Sequence, residues 1–307
     1  MTEPIAKLRE NIASVFLGNR QAIDRVICCL LARGHVLIED VPGVGKTVLA
    51  TALAKSIDCA FSRVQLTPDM LPSDVLGVSI FNRATETFEF KRGPIFANIV
   101  LADEINRTTP RTQTALLEAM NEATVSVDGR VLRLEPPFMV VATQNPYEFE
   151  GTYPLPENQL DRFLMRTRLG YPSAAEEARV LDLRPAHFAL PQLEPVLHRQ
   201  DVVALQEAVD KVRLDRTLLD YIVSLAAATR SHSELQVGLS PRGSLALAQA
   251  ARATAVLAGR DYAVPEDIVG NILPVCAHRV IPRGYQRDPA HAEAVLGRIV
   301  ETVKSPA

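Results

Sequence analysis

Residues Val36 to Thr47 read VLIEDVPGVGKT, an apolar run that breaks into a glycine-bearing turn and closes on Lys-Thr. A strand before the turn and a helix after it make this a phosphate-binding loop. Gly43 and Gly45 let backbone N–H groups curl around phosphate oxygens, and the helix starting near Lys46 points its positive end at them. Lys46 is expected to reach the β- and γ-phosphates of an ATP-type ligand. Thr47 is expected to offer its hydroxyl to the accompanying Mg²⁺, a cation that prefers oxygen. Pro42, Val44 and Val48 complete the cradle. One position departs from G-x-x-x-x-G-K-[ST]: its first glycine falls on Asp40, so the entry to the turn must be shaped differently, with Pro42 a candidate for that role.

At 307 residues the chain exceeds one typical core. Two domains are expected, a larger one holding the phosphate loop and a smaller one after it. Hydrophobic content of 47% with 22% charged residues is that of a globular protein, and a net charge of −3 leaves no broad basic footprint for nucleic acid. A local basic groove stays open. Apolar runs such as VICCLLA fall far short of the roughly 20 residues that cross a bilayer, and MTEPIAKLRE lacks the apolar centre of a signal peptide. No membrane span and a cytoplasmic location are therefore expected. Cys28, Cys29, Cys59 and Cys276 show no metal spacing and read as core, while the six histidines are scattered.

Helical periodicity runs through IAKLRENIASVF and NRQAIDRVICCLLARG, with Asn19 as an N-cap and Gly34 as a stop. Strands are expected at 35–39, 61–66, 99–103, 138–143 and 165–169, separated by helices such as 46–57 and 110–122. That alternation is a parallel α/β sheet. Two hairpins interrupt it, VSIFN with TFEFK and TVSV with RVLRL, the second around Asp128-Gly129. Whether they decorate a sheet edge or face a substrate is open at this level. The residues divide as 1–184 for the α/β core, 185–199 for a proline-spotted linker and 200–307 for a helical domain. Helices there are expected at 216–230, 240–258, 265–279 and 290–303, without further strands.

Strand IVLADE ends in Asp103-Glu104, where a parallel sheet presents acids beside a phosphate loop. Asp103 would hold Mg²⁺ through water, and Glu104 would orient and deprotonate the water attacking the γ-phosphate. Strand FMVVAT ends in Gln144-Asn145, and Asn145 can hold that water or sense the γ-phosphate. LPENQLDRFLMR offers Arg162 on a short helix, and SPRG offers Arg242 at a helix start. Alone, an arginine on a surface is usually just solvated.

DVPGVGKT, GPIFANIVLADEIN, TQTALLEAMNEATVSVDG, VATQNP, EGTYPLPENQLDRFLMR and LSPRG occur in that order, and with them the chain resembles the AAA+ ATPases, specifically the MoxR family. The resemblance spans Gly18 to Gly243 and implies an αβα sandwich with two inserted hairpins and a helical lid. It makes Lys46 and Thr47 the Walker A pair, Asp103 and Glu104 Walker B, Asn145 sensor 1, Arg162 the arginine finger and Arg242 sensor 2. It further implies a homo-oligomeric ring, usually hexameric, with both hairpins toward a central pore. A chaperone-like action on a protein client follows from the same resemblance, in some members beside a protein with a von Willebrand factor A domain. No D-x-S-x-S motif occurs here, so any such domain belongs to another polypeptide. A nucleic-acid motor and a nucleotide-gated scaffold with little turnover are the competing readings. The acidic balance counts against the first, and the presence of Glu104 and Arg162 against the second.

Overall fold

The structure, a computed structural model, describes residues 2–147, 151–284 and 289–306. Glu150, which opens the EGTYP stretch, lies outside them. Two helices, α1 (Thr2–Val15) and α2 (Arg20–Leu31), precede strand β1 (Val36–Glu39), and α3 (Lys46–Ser56) follows it. Asn19 caps α2 by accepting the Gln21 amide at 2.9 Å, and beyond the helix the Gly34 N–H turns back to the Cys29 oxygen at 2.7 Å. Next come β2 (Ile57–Asp58), β3 (Phe61–Gln65), α4 (Pro72–Leu76), and the hairpin of β4 (Gly77–Asn82) with β5 (Thr87–Arg92). Then follow β6 (Ile99–Asp103), α5 (Pro110–Glu122), the hairpin of β7 (Thr124–Val127) with β8 (Arg130–Arg133), β9 (Met139–Gln144), α6 (Glu157–Leu160) and β10 (Met165–Thr167).

Five strands form one parallel sheet in the order β10-β1-β9-β6-β3. β1 lies inside it, with Val36 opposite Met165 on one side and Val141 on the other. A strand flanked at both edges and covered on both faces must be apolar throughout, which is why this segment reads as an unbroken run. Val36 and Ile38 pack with Ile23, Ile27 and Leu49 from the helices on one face. Leu37, Val100 and Ala102 pack with Leu116 and Phe163 on the other. The result is the αβα sandwich. The second hairpin turns on Asp128 and Gly129, both at positive φ (50° and 72°), the backbone that an Asp-Gly pair tolerates.

After the sheet come α7 (Ala174–Leu183), α8 (Pro185–Phe188), β11 (Leu197–His198), α9 (Arg199–Lys211), α10 (Arg216–Ser231), β12 (Leu235–Val237), α11 (Pro241–Leu257), α12 (Pro265–Cys276), β13 (Ile281–Pro282) and α13 (Pro289–Thr302). Three features differ from the sequence expectation. The stretch 185–199 contains α8 and β11, and β11 pairs in parallel with β2, Leu197 opposite Ile57. Two short strands, β12 and β13, pair antiparallel within the helical part. Segments of two or three residues are too short to show a period, so these were illegible by pattern. The third is α9, a helix missing from the expected set. Asp201 accepts the His198 amide at 2.8 Å to start it, and Gln206 Nε2 donates to the Leu30 oxygen at 2.7 Å, fastening α9 to the end of α2. Leu205, Val209, Ala250 and Ala253 share one apolar cluster with Ile23 and Ile27, so the lid rests on the core through continuous packing. No helix among the described residues is long and apolar enough to cross a membrane.

Candidate active site

Gly43 and Gly45 have φ of 88° and 94°, a left-handed backbone that costs glycine nothing and strains other residues. Gly45 is the N-cap of α3, so Lys46 and Thr47 open that helix with its free N–H groups facing the loop. Asp40 explains the departure from the usual loop pattern. Its Oδ1 accepts the Val41 amide at 2.9 Å, and its Oδ2 accepts the amides of Leu169 and Gly170 at 2.8 Å each. The carboxylate thereby shapes the turn's entry and ties it to the chain leaving β10. Lys46 Nζ donates to the Asp40 oxygen at 2.7 Å and approaches the Gln144 oxygen at 3.5 Å. Burial lowers the Lys46 pKa, while the carboxylates of Asp103, Asp40 and Glu104 pull it up. An ammonium held on backbone oxygens in a partly dry site is poised for a stronger anion.

Register brings the acids to the same edge, because Gln65 lies opposite Asp103 and Glu39 opposite Gln144. Asp103 is buried; its Oδ1 accepts the Thr143 hydroxyl at 2.6 Å and its Oδ2 the Arg63 Nη2 at 2.7 Å. Glu104 follows at φ 59° and ψ 53°, a left-handed turn that swings its side chain away from the strand direction. Its amide donates to the Thr143 hydroxyl at 2.9 Å. Its Oε2 accepts Gln65 Nε2 at 2.5 Å and lies 3.2 Å from Arg107 Nε. Thr143 thus joins both acids, while Gln65 and Arg107 hold Glu104. Asn145 stands one residue past β9, its Oδ1 accepting the Tyr147 amide at 3.1 Å.

The two arginines lie elsewhere. Arg162 follows α6 rather than sitting on it, and Arg242 opens α11. Arg242 pairs with Asp161 Oδ2 at 3.4 Å and donates to Asn121 Oδ1 at 2.7 Å. These partners belong to the opposite, N-terminal edge of the sheet: Leu164 donates to the His35 oxygen at 2.8 Å, and His35 precedes β1. With about 3.3 Å of rise per strand residue, the length of β1 alone separates that edge from the phosphate loop by roughly 10 Å. Arg162 and Arg242 are gathered with each other and away from this chain's own Lys46.

Beside the loop is an apolar cavity of about 360 Å³, lined by Phe16, Leu17, Val44, Val48, Pro172 and His187 among others. Sequence reading named only the loop residues of this wall. Phe16 and Leu17 trail α1, while Pro172 and His187 come from beyond the sheet, and no local pattern links them. Arg63, Gln65 and Thr143 were missed for the same reason, since strand register alone sets them against Asp103 and Glu104.

The ATPase family associated with various cellular activities (AAA) matches residues 35–165, and the AAA lid domain matches residues 227–299. Chaperone MoxR1 of Mycobacterium tuberculosis (strain ATCC 25618 / H37Rv) is 40% identical over 96% of this chain and 80% of its own length. Protein MoxR of Methylorubrum extorquens is 31% identical over 98% of this chain and 95% of its own. The chain belongs to the MoxR family of AAA+ ATPases. The uncharacterized protein YeaC of Bacillus subtilis (strain 168) is 51% identical, covering 98% of this chain and 95% of its own. A solved structure described as an inferred ATPase, from Cytophaga hutchinsonii ATCC 33406, superposes on this MoxR-family chain with a TM-score of 0.89 at 36% identity, covering 100% of this chain and 96% of its own.

The residues present fit the ligands a MoxR-family site implies. The cavity would give an adenine an apolar wall, the loop N–H groups and Lys46 would meet phosphates, and a Cβ at Gly43 has no atom within 4 Å. The Thr47 hydroxyl and the Asp103 carboxylate would supply the oxygens that Mg²⁺ prefers.

Proposed function

We propose that this chain binds and hydrolyses ATP with Mg²⁺, in a ring whose subunits share each active site, and that the motion remodels or matures a protein client. The supporting observation is the convergence of Lys46, Thr47, Asp103, Glu104 and Asn145 at one sheet edge, while Arg162 and Arg242 collect at the other. Lys46 and the loop amides bind and orient the phosphates, Thr47 and Asp103 hold the metal, and Glu104 takes a proton from the attacking water. Mg²⁺, when bound, neutralises charge on the β- and γ-phosphate oxygens. In this reading Glu104 must exchange Gln65 and Arg107 for that water. Arg162, with Arg242 beside it, is supplied to the site of a neighbouring subunit, which makes turnover depend on assembly.

A protein client is supported by the name of Chaperone MoxR1 and by the hairpins, where Phe88 is 71% and Val131 66% exposed. A cavity of about 470 Å³ opens between the hairpins, walled by Phe88, Phe90 and Leu132 among others. A hexameric ring and a von Willebrand factor A partner belong to the same proposal and rest on the family resemblance, while a cytoplasmic location rests on the short apolar runs of the sequence. Lys46→Ala is expected to lose ATP affinity, whereas Glu104→Gln should bind ATP and hydrolyse at least about 100-fold more slowly. Nucleotide titration beside phosphate release decides this, and near-normal turnover in Glu104→Gln removes Glu104 from its role.

A further inference from the structure

Arg279 stands just beyond α12, and its side chain is only 3% exposed. A buried guanidinium is tolerated when its donors are met, and those of Arg279 are met largely by one short stretch of the core. Nε donates to Asp161 Oδ1 at 2.7 Å, Nη2 to the main-chain oxygens of Phe163 at 2.7 Å and Asp161 at 3.1 Å, and Nη1 to the Leu164 oxygen at 3.1 Å. Its remaining contacts are local, to the Val275 oxygen and to His278 Nε2. The fork therefore grips the backbone immediately before and immediately after Arg162.

Arg162 has little support of its own. Its amide donates to the Gln159 oxygen at 3.1 Å, and its Nη1 is buried with no hydrogen-bond partner among the described residues. The Asp161 carboxylate is shared, Oδ1 taking Arg279 and Oδ2 lying 3.4 Å from Arg242 Nε. One carboxylate thus holds two lid arginines against the segment that bears Arg162. Lysine could not reproduce the grip, since a single ammonium cannot satisfy a carboxylate and three carbonyls spread over four residues.

We propose that Arg279 and Asp161 are positioning residues for Arg162: the buried fork sets the backbone on both sides of it, so that the docked lid fixes where Arg162 is presented to a neighbouring subunit. This rests on the reading that Arg162 acts across an interface. A side chain misplaced by 1 Å can cost about 100-fold in rate without altering binding, so the signature is in kcat rather than in the subunit's own affinity for ATP.

The test uses full-length Arg279→Gln and Asp161→Asn, with Arg162→Ala as reference and Glu104→Gln as the partner in mixed assemblies. Asp161→Asn keeps the side-chain shape and carries the test if melting shows that Arg279→Gln does not fold. Each positioning variant is expected to bind ATP within about twofold of the unaltered protein and to lose about 10- to 100-fold in kcat with KM little changed. Mixing with Glu104→Gln subunits, which bring intact Arg279, Asp161 and Arg162, should restore phosphate release. Unaltered turnover in both pure variants overturns the proposal. So does loss of activity that mixing fails to repair while it does repair Arg162→Ala, because the defect then lies in the variant's own nucleotide site. If subunits exchange and Arg162→Ala itself is not repaired, the shared-site reading falls and takes the positioning role with it.

Discussion

His35 sits where β1 begins, buried, with Nε2 2.9 Å from the Met120 oxygen and Nδ1 accepting the Val140 amide at 2.9 Å. One donor and one acceptor are what a neutral imidazole offers; protonation turns Nδ1 into a donor facing another donor. Burial lowers the pKa to about 4, opposed by the hydrogen bond to Met120. In the unfolded chain the group protonates near pH 6.5, so between roughly 6.5 and 4 the unfolded state binds more protons and acid favours it. The stability His35 provides is complete above that window and falls with pH, by about 3 kcal/mol across it. His278 works in the same direction, its pKa lowered by burial and by the neighbouring Arg279 and Arg166. Denaturant unfolding from pH 4 to 7 should show this decline, and His35→Gln should flatten its slope by close to one proton. An unchanged slope would mean that His35 does not stay neutral in the folded protein.

Among the secondary elements, the first hairpin depends on two glycines at its base. A Cβ on Gly93 would lie 2.3 Å from the Val75 oxygen and 2.5 Å from the Gly77 amide nitrogen, and one on Gly77 would lie 2.3 Å from the Lys91 oxygen. The obstructing atoms are backbone, so they cannot swing aside as a side chain would. At the tip of the second hairpin Gly129 has φ of 72° but open space around it. Gly129→Ala should therefore cost only about 1 kcal/mol of left-handed strain, while Gly93→Ala should cost about 2–3 kcal/mol by pushing the junction of α4 and β4 away from the end of β5. Both should leave ATP affinity intact, since the phosphate loop is built on β1 and α3. Unfolding and nucleotide titrations check the pair, and equal costs would refute the backbone contact as the deciding factor.

At the scale of the whole molecule, the separation of Arg162 and Arg242 from Lys46 predicts that one subunit is an incomplete enzyme. ATP that binds the shared site more tightly than it binds the free subunit should stabilise the assembly, by about 1.4 kcal/mol per site for each tenfold difference in affinity. Sedimentation should show tighter assembly with Mg-ATP than with ADP, and specific activity should rise with protein concentration. A strictly monomeric protein at saturating Mg-ATP that hydrolyses at a concentration-independent rate would defeat the shared site.

Much of the fold and of the candidate site was legible along the chain because the candidate residues lie at strand ends. Gly43, Gly45, Lys46 and Thr47 lie within one short turn, Asp103-Glu104 closes an unmistakable apolar strand, and Asn145 follows another, so a strand-and-turn reading was enough to single them out as candidates. Periodicity of sufficient length likewise marked β6 and α5 at their observed ends. What only the tertiary structure decided is what nonlocal register and packing bring together. Asp40 is an anomaly in one dimension and a tether to Leu169 and Gly170 in three. Gln65 meets Glu104 because β3 lies beside β6, and Phe16 and Pro172 come to line one cavity beside the loop. Arg279 reaches Asp161 across 118 positions because α12 packs beside β10. Local sequence determines which backbone forms and which side chains it carries outward; the partner of a buried charge is set by the packing of elements far apart in the chain, where burial makes an unpaired charge too costly to keep.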